Sequence, residues 1–399
     1  MSKKNIITAL DIGTNEIKAL SGFLNSEKEK LDFEVIGYAK EKSFGVRNGI
    51  IIDATRVTEI IFSLIKKIEE ETGKRIESVY ANINGSHISC SLSKSLISVS
   101  RADRKISEED VERAIQAAKN FFPSANKEIL DIFPKEFIVD GEKGIKEVVG
   151  MEGTRLETEV MIIHSFSPHF KILTKTILDS SLQINDLIPS PLASAEAVLT
   201  EQEKELGVLV LDIGAGTTGF SVFKEGDLED IGVFPVGSGH ITNDIACCLK
   251  IDIDTAEKLK IEFGSCIKEK KNNNKKIKIE GEEPLIFSQK ELVDIIEARV
   301  SEIFDFVNKE LKKNSLEKLP GGVVLTGGGA NLKGIKEMAK KQLNLPVRIG
   351  MHKNFSSLPD DLSLSVLCGL ILLGSELEKN SETPNLFKKI KKLFKVFIP

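Results

Sequence analysis

The sequence predicts an α/β fold built twice over, and three observations carry that expectation. The tetrapeptide Leu10-Asp11-Ile12-Gly13 returns as Leu211-Asp212-Ile213-Gly214, each copy after a short apolar run. Each copy is followed by short strand-like segments separated by turns, and then by a helical stretch. The chain has 399 residues, more than one ordinary core can serve, so at least two domains are expected.

In the first half, IITALDIG, IKALSGF and LDFEVIGYA read as three strands of a β-meander, with the charged stretch NSEKEK between the last two. Asp53 to Glu71 then reads as a helix. The second half repeats the order with GVLVLDIG, GFSVF, the turn KEGD and LEDIGVFPV, followed by a helix over Ile241 to Lys250. Mixed sheets with helices outside them are the natural architecture for this order.

Hydrophobic residues make up 41% of the chain, enough to fill both halves. With 55 Lys and Arg against 60 Asp and Glu the chain is only mildly acidic, which argues for no nucleic-acid partner. The five cysteines (Cys90, Cys247, Cys248, Cys266, Cys368) are odd in number without CxxC spacing, and the five histidines form no i, i+4 pair. Neither a disulfide framework nor a zinc site is indicated. No apolar run reaches the length of a membrane span, and MSKKNIITALDIG enters a strand pattern with no signal-peptide region. A cytoplasmic protein with a soluble body is expected.

Gly214 to Gly219, GAGTTG, matches the GxGxxG dinucleotide fingerprint, but that fingerprint requires a helix to start within the glycines. Here FSVF alternates and ends at a Lys-Glu-Gly-Asp turn, so the loop joins two strands. A hairpin loop of glycine and threonine still holds phosphate, because its backbone amides form a nest with no side chains in the way. Two such loops facing each other would clamp a triphosphate. A third cluster, Gly321 to Ala330, places a buried strand before the triplet Gly327-Gly328-Gly329 and a helix from about Leu332 to Gln342. Those glycines let the backbone approach a flat ring, and the helix N-terminus adds positive potential. Alone, the cluster would read as a flexible turn between strand and helix, and the paired LDIG loops turn the reading toward a binding loop.

Paired strand-Asp-x-Gly hairpins in duplicated halves, with a GGG loop, resemble the actin, heat-shock chaperone and sugar-kinase superfamily. Finer blocks resemble the FtsA family of bacterial cell-division actin homologues: NINGSHI (Asn82 to Ile88), Glu128 to Ile163, GSGHITNDIA (Gly237 to Ala246), AEKLKIEFG (Ala256 to Gly264) and GGVVLTGGGANLKGI (Gly321 to Ile335). The resemblance runs over nearly the whole chain. It implies an actin-like ATPase fold of two lobes, with lobe 1 (subdomain 1A) at residues 1–85 and 164–206. Subdomain 1C would be inserted at 86–163, and lobe 2 (2A and 2B) would span 207–377. Within 1C, ISCSLSKSLISVS and KEFIVDG are strand-like around a helix from Ser107 to Asn120, where Ser107 and Asp110 resemble a capping box. Lys268 to Glu283, rich in lysine and asparagine, is expected as an exposed loop of 2B.

By the same resemblance, the first phosphate loop is Gly13, Thr14 and Asn15, with Lys18 as a phosphate-contacting lysine. The second is Gly214, Ala215, Gly216, Thr217 and Thr218. Asp11 and Asp212 would orient water on a Mg2+ ion bridging the phosphates of ATP, with turn-forming aspartates as the alternative. Glu257 and Lys260, one helical turn apart, would reach the ribose and base, beside Gly327, Gly328 and Gly329. Two positions depart from the family pattern. Many relatives have an acid at Gly219 and an acid or amide at Ser190, where a group that orients the attacking water is expected. ATP binding is therefore expected with at most slow hydrolysis.

After the polar linker 378–385, the apolar residues Leu386, Phe387, Ile390, Leu393, Phe394, Phe397 and Ile398 fall on one helical face, and Lys388, Lys389, Lys391, Lys392 and Lys395 on the other. A helix over 386–399 of this kind suits the interface of an anionic membrane, and its alternative is packing on the protein's own core. By resemblance, Asp294 to Phe306 would bind the C-terminal peptide of the tubulin homologue FtsZ, with Arg299 and Glu302 as contacts. Arg299 has the alternative of an ion pair with Glu302 at i+3. The resemblance thus implies a filament-forming adaptor on the cytoplasmic face of the membrane that anchors the FtsZ ring at the division site and recruits other divisome proteins through 1C. A pilus-assembly homologue of the PilM type would keep the cleft and an inserted domain without the lysine-rich terminal helix. A kinase or chaperone ATPase would need a catalytic group near the γ-phosphate.

Overall fold

Every side chain of β1 (Ile7–Ile12) is buried, as the apolar run before Gly13 demands of a strand covered on both faces. This computed structural model describes residues 6–25, 32–100, 102–123, 125–267, 276–279, 285–353, 355 and 358–379. The chain divides into two compact units, one made of residues 1–86 and 176–372, the other containing residues 87–175.

In the first unit, β1 pairs antiparallel with β2 (Glu16–Asn25), and β2 with β3 (Asp32–Lys42), which is the expected meander. The short hairpin of β4 (Val46–Arg47) and β5 (Ile50–Ile51) leads to α1 (Ala54–Thr72). Asp53 caps that helix by accepting from the Arg56 amide at 3.2 Å, and Val57, Ile61, Leu64, Ile65 and Ile68 form its buried face. Gly73, at a φ of 65°, ends it in the left-handed conformation. β6 (Ser78–Ile83) then runs parallel to β1.

The second unit is α+β. β7 (Ser89–Ser98), α2 (Glu108–Phe121), β8 (Lys127–Val139), β9 (Glu142–Ile145) and β10 (Arg155–Phe166) follow in order. β10 lies antiparallel between β7 and β8, and β9 pairs with β8. Val111, Ala114, Ile115 and Ala118 of α2 share a core with Leu156, Val160 and Ile162 of β10. The capping box is present, since the Asp110 amide donates to Ser107 Oγ and the Ser107 amide donates back to Asp110 Oδ2 at 2.9 Å. Burial opposes the Asp110 charge, yet hydrogen bonds from Ser107, Arg113 and Ser100 hold its carboxyl well below the usual range. The strand that the sequence placed at KEFIVDG begins earlier, at Lys127.

α3 (Ser167–Asp179) carries the chain on to β11 (Gln183–Pro189), which runs parallel to β6. The first sheet therefore has the order β11-β6-β1-β2-β3. After α4 (Ser190–Val198) and α5 (Glu201–Leu206), the pattern returns as the meander β12 (Val208–Ile213), β13 (Thr218–Lys224) and β14 (Asp227–Phe234). Helices α6 (Ser238–Leu249) and α7 (Ile253–Phe263), the hairpin β15 (Lys276–Ile279) and β16 (Leu285–Ser288), and α8 (Gln289–Lys313) follow. β17 (Gly322–Thr326), α9 (Ile335–Leu343), β18 (Val347–Ile349) and α10 (Ser365–Lys379) complete the order. β17 lies parallel to both β12 and β18, which gives β18-β17-β12-β13-β14.

The two sheets thus match strand for strand, and the repeated LDIG occupies the central strand of each. Three expectations need correction. The helix read over Leu332 to Gln342 begins at Ile335, because a 3-10 turn over Gly328–Asn331 and the positive φ of 80° at Gly334 come first. The helix read from Ile241 begins a turn earlier, at Ser238, where the Gly237 amide donates to His240 Nδ1 at 3.1 Å. The run Lys268 to Glu283 is not all loop, since Lys276–Ile279 pairs with Leu285–Ser288.

Candidate functional site

The two LDIG strands end in the same turn. The Gly13 amide donates to the Glu16 carbonyl at 3.1 Å, and the Gly214 amide donates to the Thr217 carbonyl at 2.9 Å. Both turns open on one cleft of about 610 Å³, a size suited to a cofactor. Of the residues singled out from the sequence, Asp11, Gly13, Thr14, Asn15, Lys18, Asp212, Gly214, Ala215, Thr217, Glu257, Lys260, Gly327, Gly328 and Gly329 line it. The second turn is pinned from behind by α6: the Ser238 and Gly239 amides donate to the Gly214 and Ala215 carbonyls, each at 2.8 Å. In a trans peptide the following N–H points opposite to the carbonyl, so the Ala215 and Gly216 amides aim away from α6.

Gly216 and Thr218 are not among the lining residues. A Cβ on Gly216 would stand 2.7 Å from Thr14 Oγ1 and 3.0 Å from Asn48 Cα. Its glycine is required by the close approach of the two loops, not by a backbone conformation that only glycine tolerates, because its φ is not positive. Thr218 is fully buried and its hydroxyl donates to the Val236 carbonyl at 2.8 Å.

Asp11 and Asp212 close the floor. Burial raises the Asp11 carboxyl, partly offset by Lys18, whose Nζ lies 4.0 Å from Asp11 Oδ2. Burial and then the Asp11 charge push Asp212 up to about 7. Two carboxylates that resist ionising together need a cation or a shared proton. Lys18 Nζ also meets Glu16 at 3.5 Å and donates to the Ser363 carbonyl at 3.3 Å, so it is held by three groups. Across the β1–β2 and β12–β13 pairs, Asp11 faces Lys18 while Asp212 faces Gly219, the same position in each half. A Cβ on Gly219 would press on Pro191 Cγ at 2.8 Å.

Glu257 and Lys260 of α7 are engaged with each other at 2.7 Å. Lys260 Nζ donates further to Thr242 Oγ1 at 2.8 Å and to the Ser238 carbonyl at 3.2 Å, and Thr242 also meets Glu257. All three ammonium protons thus have acceptors in the protein, which makes Lys260 a tie between α6 and α7. Gly327 stands at a φ of 81°, and a Cβ there would lie 2.2 Å from Asp212 Oδ1. Gly329 is closed in by Ile213, whereas a Cβ on Gly328 would meet only Ser363, at 3.7 Å. Gly328 is the open face of the triplet.

Of the residues at the site that escaped the sequence reading, Asn82, Asn84 and Ser365 stand out. Asn82 is 2% exposed, accepts from the Ile12 amide at 2.7 Å, and donates to Asp11 Oδ1 at 2.8 Å and Ser190 Oγ at 3.0 Å. It fixes the Asp11 carboxylate and occupies Ser190, whose hydroxyl also donates to the Ile83 carbonyl. Asn84 lines the cleft and donates to Thr217 Oγ1 at 3.1 Å. Ser365, at the start of α10, lines the cleft with a buried hydroxyl that has no partner among the described residues. Asn82 and Asn84 stand in the quoted NINGSHI block, and a strand reading of Ser78 to Ile83 beside Asp11 would have found them.

The family described as Cell division protein FtsA matches residues 209–368, and the SHS2 domain inserted in FTSA matches residues 85–164. Cell division protein FtsA of Pseudomonas aeruginosa is 32% identical over 384 residues, 94% of this chain and 90% of that one. Its namesake in Borreliella burgdorferi is 33% identical over 401 residues, 98% of this chain and 96% of that one. The chain belongs to the FtsA family of cell division proteins. Among solved structures, a chain of the PilM-PilN type IV pilus biogenesis complex aligns with a TM-score of 0.65 at 17% identity, over 92% of this chain and 98% of that one. MreB 5 of Spiroplasma citri bound to AMPPNP aligns at 0.56 and 15%, over 95% and 98%. Both likenesses establish the actin-like ATPase fold expected from the sequence, and the sequence relatives place the chain with FtsA and not with PilM.

The remaining candidates of this FtsA-family chain lie elsewhere. Arg299 of α8 is clamped by Asp244 of α6 through paired bonds of 2.7 and 2.9 Å, and by Glu302. Asp244 first, against some burial, holds the guanidinium firmly protonated. The ion pair with Glu302 is therefore present, and Asp244, which the sequence did not indicate, is the stronger partner. These side chains line a groove with Lys290, Glu291, Asp294 and Ile295. Leu386, Phe387, Lys388, Lys389, Ile390, Lys391, Lys392, Leu393, Phe394, Lys395, Phe397 and Ile398 lie outside the described residues. Among the described residues no helix is long and apolar enough to cross a membrane.

Proposed function

We propose that this cell-division protein binds ATP in the cleft, assembles into filaments on the cytoplasmic face of the membrane at the division site, anchors the FtsZ ring and recruits later divisome proteins through residues 86–163. One observation carries the reading: glycine turns of identical construction, from the central strands of two matching sheets, open on one cleft with Asp11 and Asp212 on its floor. The solved relative in fold, MreB 5, is bound to AMPPNP, which supports a nucleotide here. Mg2+ fits the floor, since two carboxylates of raised pKa, Asp11 buried and Asp212 half-buried, gain from a cation, and a magnesium ion keeping its waters needs few direct ligands. Asp11 and Asp212 would hold it through water, and it would supply charge neutralisation to the phosphates.

Membrane attachment rests on residues 386–399, where seven apolar residues segregate from five lysines. Each lysine near an anionic leaflet contributes about 1 kcal/mol. The FtsZ C-terminal peptide is assigned to the α6–α8 groove that Arg299 and Glu302 line. The test is calorimetry of ATP with and without Mg2+, joined to pelleting with anionic liposomes in the presence of the FtsZ peptide. Micromolar or tighter Mg2+-dependent ATP binding, peptide retention on vesicles and loss of pelleting on removal of 386–399 are expected. Undiminished pelleting by the truncated chain would sink the membrane assignment, and absence of ATP binding would sink the cleft assignment.

A further inference from the structure

We infer that Asn84 and Thr217 together read the terminal phosphate of the bound nucleotide, so that triphosphate and diphosphate are told apart by a contact spanning the two sheets. The inference rests on the cleft being a nucleotide site. Asn84 follows β6 of the first sheet, and Thr217 precedes β13 of the second. Asn84 Nδ2 donates to Thr217 Oγ1 at 3.1 Å, and both residues line the cleft. Asn84 Oδ1 accepts from the Gly85 amide at 2.8 Å, which decides the orientation of the side-chain amide and turns its nitrogen toward Thr217.

One of the two Nδ2 protons is engaged by that bond, and Thr217, acting as acceptor, keeps its own hydroxyl proton. Among the described residues neither of these protons has an acceptor within the protein. Two donors from opposite sheets are left side by side, next to the amides of the Gly214 turn, and that is the chemistry of an oxyanion site. The internal duplication marks the same position. Leu10 faces Ala81 across the β1–β6 pair as Leu211 faces Leu325 across the β12–β17 pair, so Asn84 corresponds to Gly328. Where the second half leaves open space with a glycine, the first half places a side-chain amide.

A terminal phosphate accepting from both donors would replace the direct Asn84–Thr217 bond with a bridge between the sheets; a diphosphate lacks the oxygens to do so. The test is to measure affinities for AMPPNP and ADP, each with Mg2+, by calorimetry on the full chain and on Asn84→Ala, Thr217→Val and Thr217→Ser. Loss of a hydrogen bond to a charged group corresponds to about tenfold or more. Asn84→Ala and Thr217→Val should lower the AMPPNP-to-ADP affinity ratio by about that factor, while Thr217→Ser, which keeps the hydroxyl, retains the ratio. Equal losses for both nucleotides, an unchanged ratio, or no preference for AMPPNP in the unmodified protein would each overturn the inference. Binding of neither nucleotide by the unmodified protein would instead overturn the cleft reading on which it rests.

Discussion

Asp212 shows how one side chain ties folding to ligand chemistry. Its carboxyl is pushed up to about 7, from an ordinary 3.8, first by burial and then by the Asp11 charge, with Lys18 opposing. Between those two values the folded chain binds the proton more tightly than the unfolded chain does. This group's contribution to stability is therefore fullest at low pH and is lost as pH rises from about 4 to about 7. Asn at this position is neutral throughout and removes the slope. In EDTA and without nucleotide, the thermal midpoint of the unmodified protein should fall, relative to Asp212→Asn, across that interval and run parallel to it above. The same variant should lose the Mg2+ dependence of ATP binding. Parallel midpoints over the whole range would show that Asp212 ionises like a surface aspartate. The aspartate itself was legible in the sequence, because LDIG repeats; its raised pKa was not, because it depends first on burial and then on Asp11 arriving from a strand some 200 residues away.

At the scale of elements, the glycine triplet after β17 separates two roles that the sequence had merged. Gly327 serves the backbone, with a φ of 81° and Asp212 Oδ1 where its Cβ would be. Gly328 serves the cleft, with only Ser363 near its Cβ position. Gly327→Ala should therefore destabilise the fold by about 1–3 kcal/mol. Gly328→Ala should leave the melting temperature nearly unchanged, and Gly328→Leu should weaken ATP binding at least tenfold by filling the space of the ring, an order of magnitude set by about 1.4 kcal/mol. Thermal melts and calorimetry on the three variants check this, and equal destabilisation by Gly327→Ala and Gly328→Ala would refute the division. The two meanders and the helices that follow them were readable from periodicity and turns because those are local, whereas β6 and β11 were not read. The pinning of the Gly214 turn by α6, the clamp of Arg299 by Asp244 and the hold of Asn82 on Asp11 were not, because each joins segments far apart in the chain.

For the molecule as a whole, the proposed function turns on how quickly a nucleotide in the cleft would be turned over. Gly219 offers no side chain, and Ser190 has its hydroxyl engaged by Asn82 and the Ile83 carbonyl. Asn84 turns its nitrogen toward Thr217 and holds its oxygen on the Gly85 amide, and a neutral side-chain amide is too weakly basic to take a proton from water. No group at these three positions is placed as a general base. An ordinary enzyme turns over about 10 times per second, and loss of one general base slows a reaction by roughly a hundredfold to ten-thousandfold. Turnover of roughly 0.1 per second or slower is therefore expected. On the proposed function ATP would act as a ligand whose contacts with both sheets shift the population of the cleft, which needs no hydrolysis. AMPPNP should support filaments on anionic lipid monolayers as well as ATP does. Restoring a carboxylate by Gly219→Asp alone should not raise turnover, because its Cβ would press on Pro191 at 2.8 Å. Phosphate release and filament formation measured together on the monolayer decide the matter. Brisk release by the unmodified protein, or filaments that form with ATP and never with AMPPNP, would mean that a water-orienting group acts from outside this set.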